Sequence, residues 1–205
     1  MTKLKICGLR RSEDIAYVNE FSPDYAGFIL SKPFWRHIRL DELRVLSEQL
    51  SDKIIPVGVF VNETIETILP YSKYLGVIQL HGDEDEEFIK TLKDHTDREI
   101  WKAIRPQTSN EINETCLSFA DKLLIDSFSK GSVGGTGVVG NWEIIKNANI
   151  TKPFFLAGGI SADNIIDAID MVKPYGIDVS SSVETDKLKD REKIKMLKHL
   201  LIDNE

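Results

Sequence analysis

The chain has 205 residues, 41% hydrophobic and 29% charged, which are ordinary proportions for a globular protein with a sizeable core. With 26 basic and 33 acidic residues the net charge is −7, and no basic stripe stands out, so a nucleic-acid partner is excluded. No apolar run approaches the ~18 residues of a membrane span, and the first residues lack a secretory h-region; a cytoplasmic protein with no membrane contact is expected. Two cysteines, Cys7 and Cys116, give neither a disulfide framework nor a CxxC zinc motif.

The first apolar run, "LKIC" at 4–7, ends on Cys7 with Gly8 directly behind it. A cysteine there is either a small core hydrophobe or a side chain at the mouth of a site, where Gly8 lets the backbone turn away. Runs of strand length then recur: "YAGFIL" (25–30), "IIPVGVF" (54–60), "GVIQL" (76–80) and "EIWKAI" (99–104). They continue with "KLLID" (122–126), "PFFLA" (153–157) and "GIDVSS" (176–181). Near-continuous apolar runs suit parallel strands covered on both faces. Between them lie amphipathic stretches of helical spacing. In "LDELRVLSEQL" the residues Leu40, Leu43, Leu46 and Leu50 share a face. "SADNIIDAIDMV" offers Ser161 as N-cap and sets Ile165, Ile166 and Ile169 together. "NETCLSFA" places Cys116 on a helix facing the core, and "REKIKMLKHLLI" supplies a last helix.

Eight strand–helix units follow, 21 to 31 residues from one strand start to the next, each with room for one crossover helix. An open doubly wound sheet could hold the same series. The regularity of the units, with no linker dividing them, favours a compact single-domain (β/α)8 barrel over residues 1–205.

In such a barrel the active face lies at the C-terminal strand ends. After the sixth strand comes "KGSVGGTG", with Gly131, Gly134, Gly135 and Gly137; after the seventh comes "AGGIS", with Gly158 and Gly159; after the eighth comes "SSSVE". Each cluster alone is a turn signal, but together they stand where barrels hold phosphate on amides and a helix N-terminus. No GxxxxGK[ST] is present, so a phosphorylated small metabolite is expected rather than a nucleoside triphosphate. Cys7, His81 and Asp126 are the titratable groups at strand ends, with Asp178 inside the eighth strand. Cys7 and Asp126 could flank a ligand, one taking a proton and the other giving one. Lys102 reads as structural. A hydrolytic Cys7–His81 pair lacks an orienting third group.

Taken together, "KICGL" (5–9), "VGVFVNE" (57–63), "QLHGDE" (79–84), "LLIDS" (123–127), "GGTG" (134–137), "LAGGIS" (156–161) and "IDVSSSVE" (177–184) resemble the phosphoribosylanthranilate isomerase family of tryptophan biosynthesis from end to end. The resemblance implies an Amadori rearrangement of N-(5′-phosphoribosyl)anthranilate, needing neither cofactor nor metal. It implies Asp126 as general acid and Cys7 as general base. It gives the substrate carboxylate to Arg36 in "SKPFWRHIR", with Arg39 and Lys32 open because this loop departs from the family pattern. Phosphate is expected on Gly135, Thr136, Gly137, Gly158, Gly159, Ser181 and Ser182, and His81 is expected to touch substrate. Ser182 replaces a glycine usual in the family.

Several rivals share the barrel. The sister isomerase of histidine biosynthesis would carry an aspartate where Cys7 stands. A ribulose-phosphate epimerase would need metal-binding histidines. A catalytically inactive phosphate-binding barrel, serving as an assembly subunit, would not need both Cys7 and Asp126. A monomer or weak homodimer is expected.

Overall fold

The computed structural model describes residues 2–127 and 142–203. Eight parallel strands close a barrel in sequence order: β1 (Lys3–Cys7), β2 (Tyr25–Ile29), β3 (Ile55–Phe60), β4 (Val77–Leu80), β5 (Glu99–Ile104), β6 (Lys122–Asp126), β7 (Phe154–Ala157) and β8 (Gly176–Val179). Closure is made by β8 pairing with β1 through Leu4 against Ile177 and Lys5 against Asp178. The open-sheet alternative is therefore excluded.

Helices cross between successive strands: α1 (Ser12–Phe21), α2 (Leu40–Gln49), α3 (Ile65–Ser72), α4 (Glu86–Lys93), α5 (Ser109–Thr115), α6 (Trp142–Lys146), α7 (Ile165–Val172) and α8 (Arg191–Asp203). The strands bury both faces, as their unbroken apolar runs require. Their outward side chains and the helices form the larger core, which includes Leu43 and Leu46 of α2, Ile165 of α7 and Cys116 at the end of α5. Inward residues fill the barrel itself, among them Tyr25, Val57, Val77, Trp101, Leu124 and Phe155. The Trp101 and Phe155 rings stack there at 4.5 Å, with Tyr25 edge-on to both. This aromatic plug closes the floor beneath the C-terminal mouth.

Two local expectations change. Ser161 does not cap α7; the helix begins at Ile165 with Asn164 as N-cap. The Asn164 carboxamide accepts from the Ser161 amide (2.9 Å) and donates to the Gly159 carbonyl (3.0 Å), so it spends its polar atoms fixing the preceding turn. Strand β8 stops at Val179, and residues 181–183 form a 3-10 turn. An unforeseen hairpin follows, β9 (Glu184–Thr185) with β10 (Leu188–Lys189), turning through Asp186 and Lys187 at positive φ. It stands over the β1 and β8 ends and supplies two side chains to the site.

Candidate active site

A cavity of about 650 Å³ opens at the C-terminal mouth, lined among others by Cys7, Gln79, His81, Asp126, Asp178 and the segments around Gly158–Gly159 and Ser180–Ser182. The period-two alternation of strands explains the convergence, because inward positions recur at every second residue. On β1 these positions are Lys5 and Cys7. Room for the thiol comes from β2: Cys7 pairs with Gly27, and a Cβ at 27 would lie 2.8 Å from Sγ. Gly8 then turns the chain at φ +82°, and its amide donates to the Gly27 carbonyl at 2.9 Å. A Cβ on Gly8 would meet the Arg36 Cδ at 2.6 Å. Gly8 is thus needed both for its conformation and for the passage of Arg36.

Around Cys7 the wall is buried and charged. The Lys5 side chain is wholly buried and its Nζ donates to the Asp178 Oδ1 at 2.9 Å. Burial alone would lower the lysine, but the Asp178 carboxylate outweighs it and holds the ammonium above its ordinary range. Burial pushes the Cys7 thiol up; the charges of Lys5 and Lys189 work against burial, while that of Asp178 adds to it. Lys189 Nζ donates to the Ser180 carbonyl (2.9 Å) and the Glu184 Oε1 (2.7 Å), and the Ser180 hydroxyl donates to the Cys7 carbonyl (3.0 Å). Glu184 also takes the Nε and Nη2 of Arg36 in a fork, at 2.9 and 2.7 Å. Burial would raise the Glu184 carboxyl, yet the hydrogen bonds from Arg36 and Lys189 prevail and keep it low.

The facing wall is more open. Arg105, from the end of β5 and 59% exposed at its side chain, donates Nε to the Asp126 Oδ2 at 3.1 Å. His81 Nε2 stands 3.9 Å from the same oxygen. Gln79 Nε2 lies 2.8 Å from His81 Nδ1.

Between the walls lie the β7 and β8 loops. Gly158 and Gly159 adopt φ +92° and +70°, turning their backbone toward the cavity lined by Ser181 and Ser182. Ser182 is not among the residues of positive φ, so replacing the usual glycine brings no left-handed strain. Its hydroxyl is buried and has no hydrogen-bond partner among the described residues.

The structure therefore brings Cys7, His81, Asp126, Gly158, Gly159, Ser181 and Ser182 into one cavity. Gly135, Thr136 and Gly137 lie outside the described residues. Arg36 runs beside the cavity rather than along its lining, with one edge of its fork on Glu184. Arg39 is spent at the start of α2 on Asp41 and Glu42, and Lys32 is exposed. Lys102 is structural, its ammonium shared by the Gly82 carbonyl and Glu84. Lys5, Arg105, Glu184 and Lys189 were not foreseen. A lysine within the buried run "LKIC" was the one signal the sequence offered, since charges are rarely buried unpaired.

The family model described as N-(5′-phosphoribosyl)anthranilate (PRA) isomerase matches residues 4–199. N-(5′-phosphoribosyl)anthranilate isomerase of Thermoanaerobacter sp. (strain X514) is 42% identical over 197 residues, covering 95% of each chain. That of Clostridium acetobutylicum is 40% identical over 199 residues, again covering 95% of each. Among solved structures, the phosphoribosyl anthranilate isomerase of Thermotoga maritima superposes with a TM-score of 0.85 at 31% identity, covering 100% of this chain and 98% of that one. A phosphoribosyl anthranilate isomerase in complex with reduced 1-(o-carboxyphenylamino)-1-deoxyribulose 5-phosphate superposes with a TM-score of 0.82 at 29% identity, over 97% of both chains.

Proposed function

The chain belongs to the N-(5′-phosphoribosyl)anthranilate isomerase family, and on that premise we propose how its own residues perform the reaction. The protein is an isomerase of tryptophan biosynthesis that converts the aldose derivative N-(5′-phosphoribosyl)anthranilate into the ketose 1-(2-carboxyphenylamino)-1-deoxyribulose 5-phosphate. Asp126 is the general acid. It gives a proton to the furanose ring oxygen as the C1–O bond breaks, and the nitrogen lone pair forms a C1=N iminium. Cys7, as thiolate, then takes the C2 proton; the C–H electrons form C1=C2 and the iminium electrons return to nitrogen. The resulting enolamine tautomerises to the ketone, its C2 hydroxyl losing a proton while C1 gains one.

The observation that carries this reading is the convergence of Cys7 and Asp126 on one cavity from β1 and β6, three strand positions apart around the barrel. Proton donor and proton acceptor thus face a bound sugar from different sides. His81, with its Nε2 toward Asp126, orients that carboxyl. The phosphate is assigned to the backbone of Gly158 and Gly159 and to Ser181 and Ser182, where the Ser182 hydroxyl, without a partner among the described residues, supplies a donor. The carboxylate is assigned to Arg36: Glu184 braces its Nε–Nη2 edge, and the opposite edge of the guanidinium suits a second carboxylate.

The test is to add freshly made N-(5′-phosphoribosyl)anthranilate to the purified protein and follow the loss of its fluorescence. Decay above the spontaneous rate, abolished in Asp126→Asn and in Cys7→Ser, is the expected result. A fully active Cys7→Ser variant would return the cysteine to a packing role, and unchanged decay with wild-type protein would favour the inactive phosphate-binding barrel.

A further inference from the structure

A thiol buried at the end of β1 is a poor base, because burial opposes its ionised form. An unperturbed cysteine is already mostly protonated at neutral pH. The barrel nevertheless carries, two residues earlier on the same inward face, a lysine with no access to water. The plug of Tyr25, Trp101 and Phe155 fills the neighbouring interior with aromatic side chains. An ammonium there is costly unless held by charge, and Asp178 holds it at 2.9 Å. Packing alone would be served by an apolar pair of similar volume, which is often as stable as a buried ion pair. Lys5 is thus a group whose expense the fold does not explain.

We propose that Lys5 is a positioning residue for the reaction: its ammonium, fixed on the barrel floor by Asp178, is the counter-charge that allows Cys7 to stand as a thiolate before it takes the C2 proton. This rests on the reading of Cys7 as the base. The proton balance is closed, because the thiolate becomes a thiol on taking the C2 proton and returns to thiolate by releasing a proton after turnover, while Lys5 keeps its own throughout. Among the described residues, the charged groups acting most strongly on the thiol each enter with a definite sign. Lys5 on β1 and Lys189 on β10 favour the thiolate, and Asp178 on β8 opposes it. His81, directly after β4, and Asp126 on β6 act one step further out, on Asp178, with opposite signs. Lys189 is largely engaged by Glu184 and the Ser180 carbonyl, so Lys5 is the cation with the stronger effect on Cys7.

The pair makes an unusual demand on mutation. Removing Lys5 takes away attraction for the thiolate, and the stranded Asp178 then takes up a proton and falls neutral. Removing Asp178 takes away repulsion and leaves Cys7 as the nearest anion for Lys5. The two substitutions therefore move the thiol in opposite directions.

The experiment is a pH titration of thiolate ultraviolet absorbance, taken as the difference between each protein and its own Cys7→Ser counterpart, so that only Cys7 is counted. In Lys5→Met the midpoint rises by about one pH unit or more, the scale set by one opposite charge at close range. In Asp178→Asn it falls. The double variant Lys5→Met/Asp178→Asn, which strands no charge and keeps the fold if Lys5→Met alone does not, also rises. The rising limb of the kcat/KM–pH profile shifts in the same sense in each active variant. A midpoint equal to wild type in Lys5→Met or in the double variant, with Cys7→Ser inactive, overturns the role of Lys5 while leaving Cys7 as the base. An active Cys7→Ser overturns the underlying reading of the base itself.

Discussion

The two walls of the cavity are built on opposite electrostatic plans. On the β1–β8 side, Lys5 pairs with Asp178, and Glu184 joins Lys189 to Arg36, in buried or half-buried contacts between 2.7 and 2.9 Å. On the β4–β6 side, Asp126 meets an exposed Arg105 and a more distant His81. On the proposed mechanism, the difference follows from what each wall must do. A base made from a weakly acidic thiol needs a nearby cation that water cannot screen, and burial keeps that interaction strong. A carboxylic acid that must regain a proton every cycle is better left near solvent. The same contrast predicts that damage to the clamped wall spreads through its network, whereas damage to the open wall stays local.

The largest effect tests the ends of the two walls. Asp126→Asn and Cys7→Ser should each lower kcat by about 10²–10⁴-fold, the usual contribution of a general acid or base. Tight binding of a product analogue should survive in both, as measured by calorimetry; loss of binding with kcat retained would assign both residues to recognition.

Next comes the carboxylate. Arg36→Ala should raise KM by roughly 10- to 100-fold, matching ~1.5–3 kcal/mol for hydrogen bonds to a charged group, with kcat changed far less. Arg105→Ala, measured beside it, should change KM only a few-fold. If Arg105 carries the KM effect and Arg36 does not, substrate binds across the open wall and the assignment of Arg36 falls. Gly8→Ala sharpens the point without touching charge. A left-handed alanine costs ~1–2 kcal/mol, and its Cβ presses on the Arg36 stem, so melting temperature should fall and KM should rise together. A lowered melting temperature with unchanged KM would detach Gly8 from the carboxylate site.

The pH response of the brace has a definite sign. Glu184 is held below its ordinary range in the folded state, so its contribution to stability is complete above its unfolded pKa and is lost as pH falls through the folded value. Below that range Arg36 loses its brace, and KM should climb on acidification more steeply in wild type than in Glu184→Gln, whose KM is already raised. Parallel profiles would remove Glu184 from substrate binding. The smallest effect is at Ser182. Its substitution by glycine removes one donor and no strain, so KM should rise by no more than roughly tenfold, or ~1.4 kcal/mol. A larger change would mean that Ser182 holds more than one phosphate oxygen.

The barrel was legible because each strand is an apolar run covered on both faces, and that pattern is local. Cys7 and Asp126 were legible for the same reason: both sit at ends of such runs, where the mouth must be. The pairings within the clamped wall were not legible. Lys5 and Asp178 lie 173 residues apart, and Arg36 and Glu184 lie 148 apart, so only barrel closure brings them together. The β9–β10 hairpin, with two residues in each strand, is too short to show a period. At α7 two good capping residues competed, and the choice of Asn164 over Ser161 depended on the bond its carboxamide makes back to Gly159.

On the proposed mechanism, a bound sugar lies between a base on one wall and an acid on the other. A crystal structure of this protein with reduced 1-(o-carboxyphenylamino)-1-deoxyribulose 5-phosphate tests it most directly. The expected result is C2 of the ligand against the Cys7 thiol, the C4 oxygen (formerly the ring oxygen) against Asp126, and the phosphate on Gly158, Gly159 and Ser182. A ligand whose C2 faces away from Cys7, or whose C4 oxygen lies on the same wall as the thiol, would contradict it.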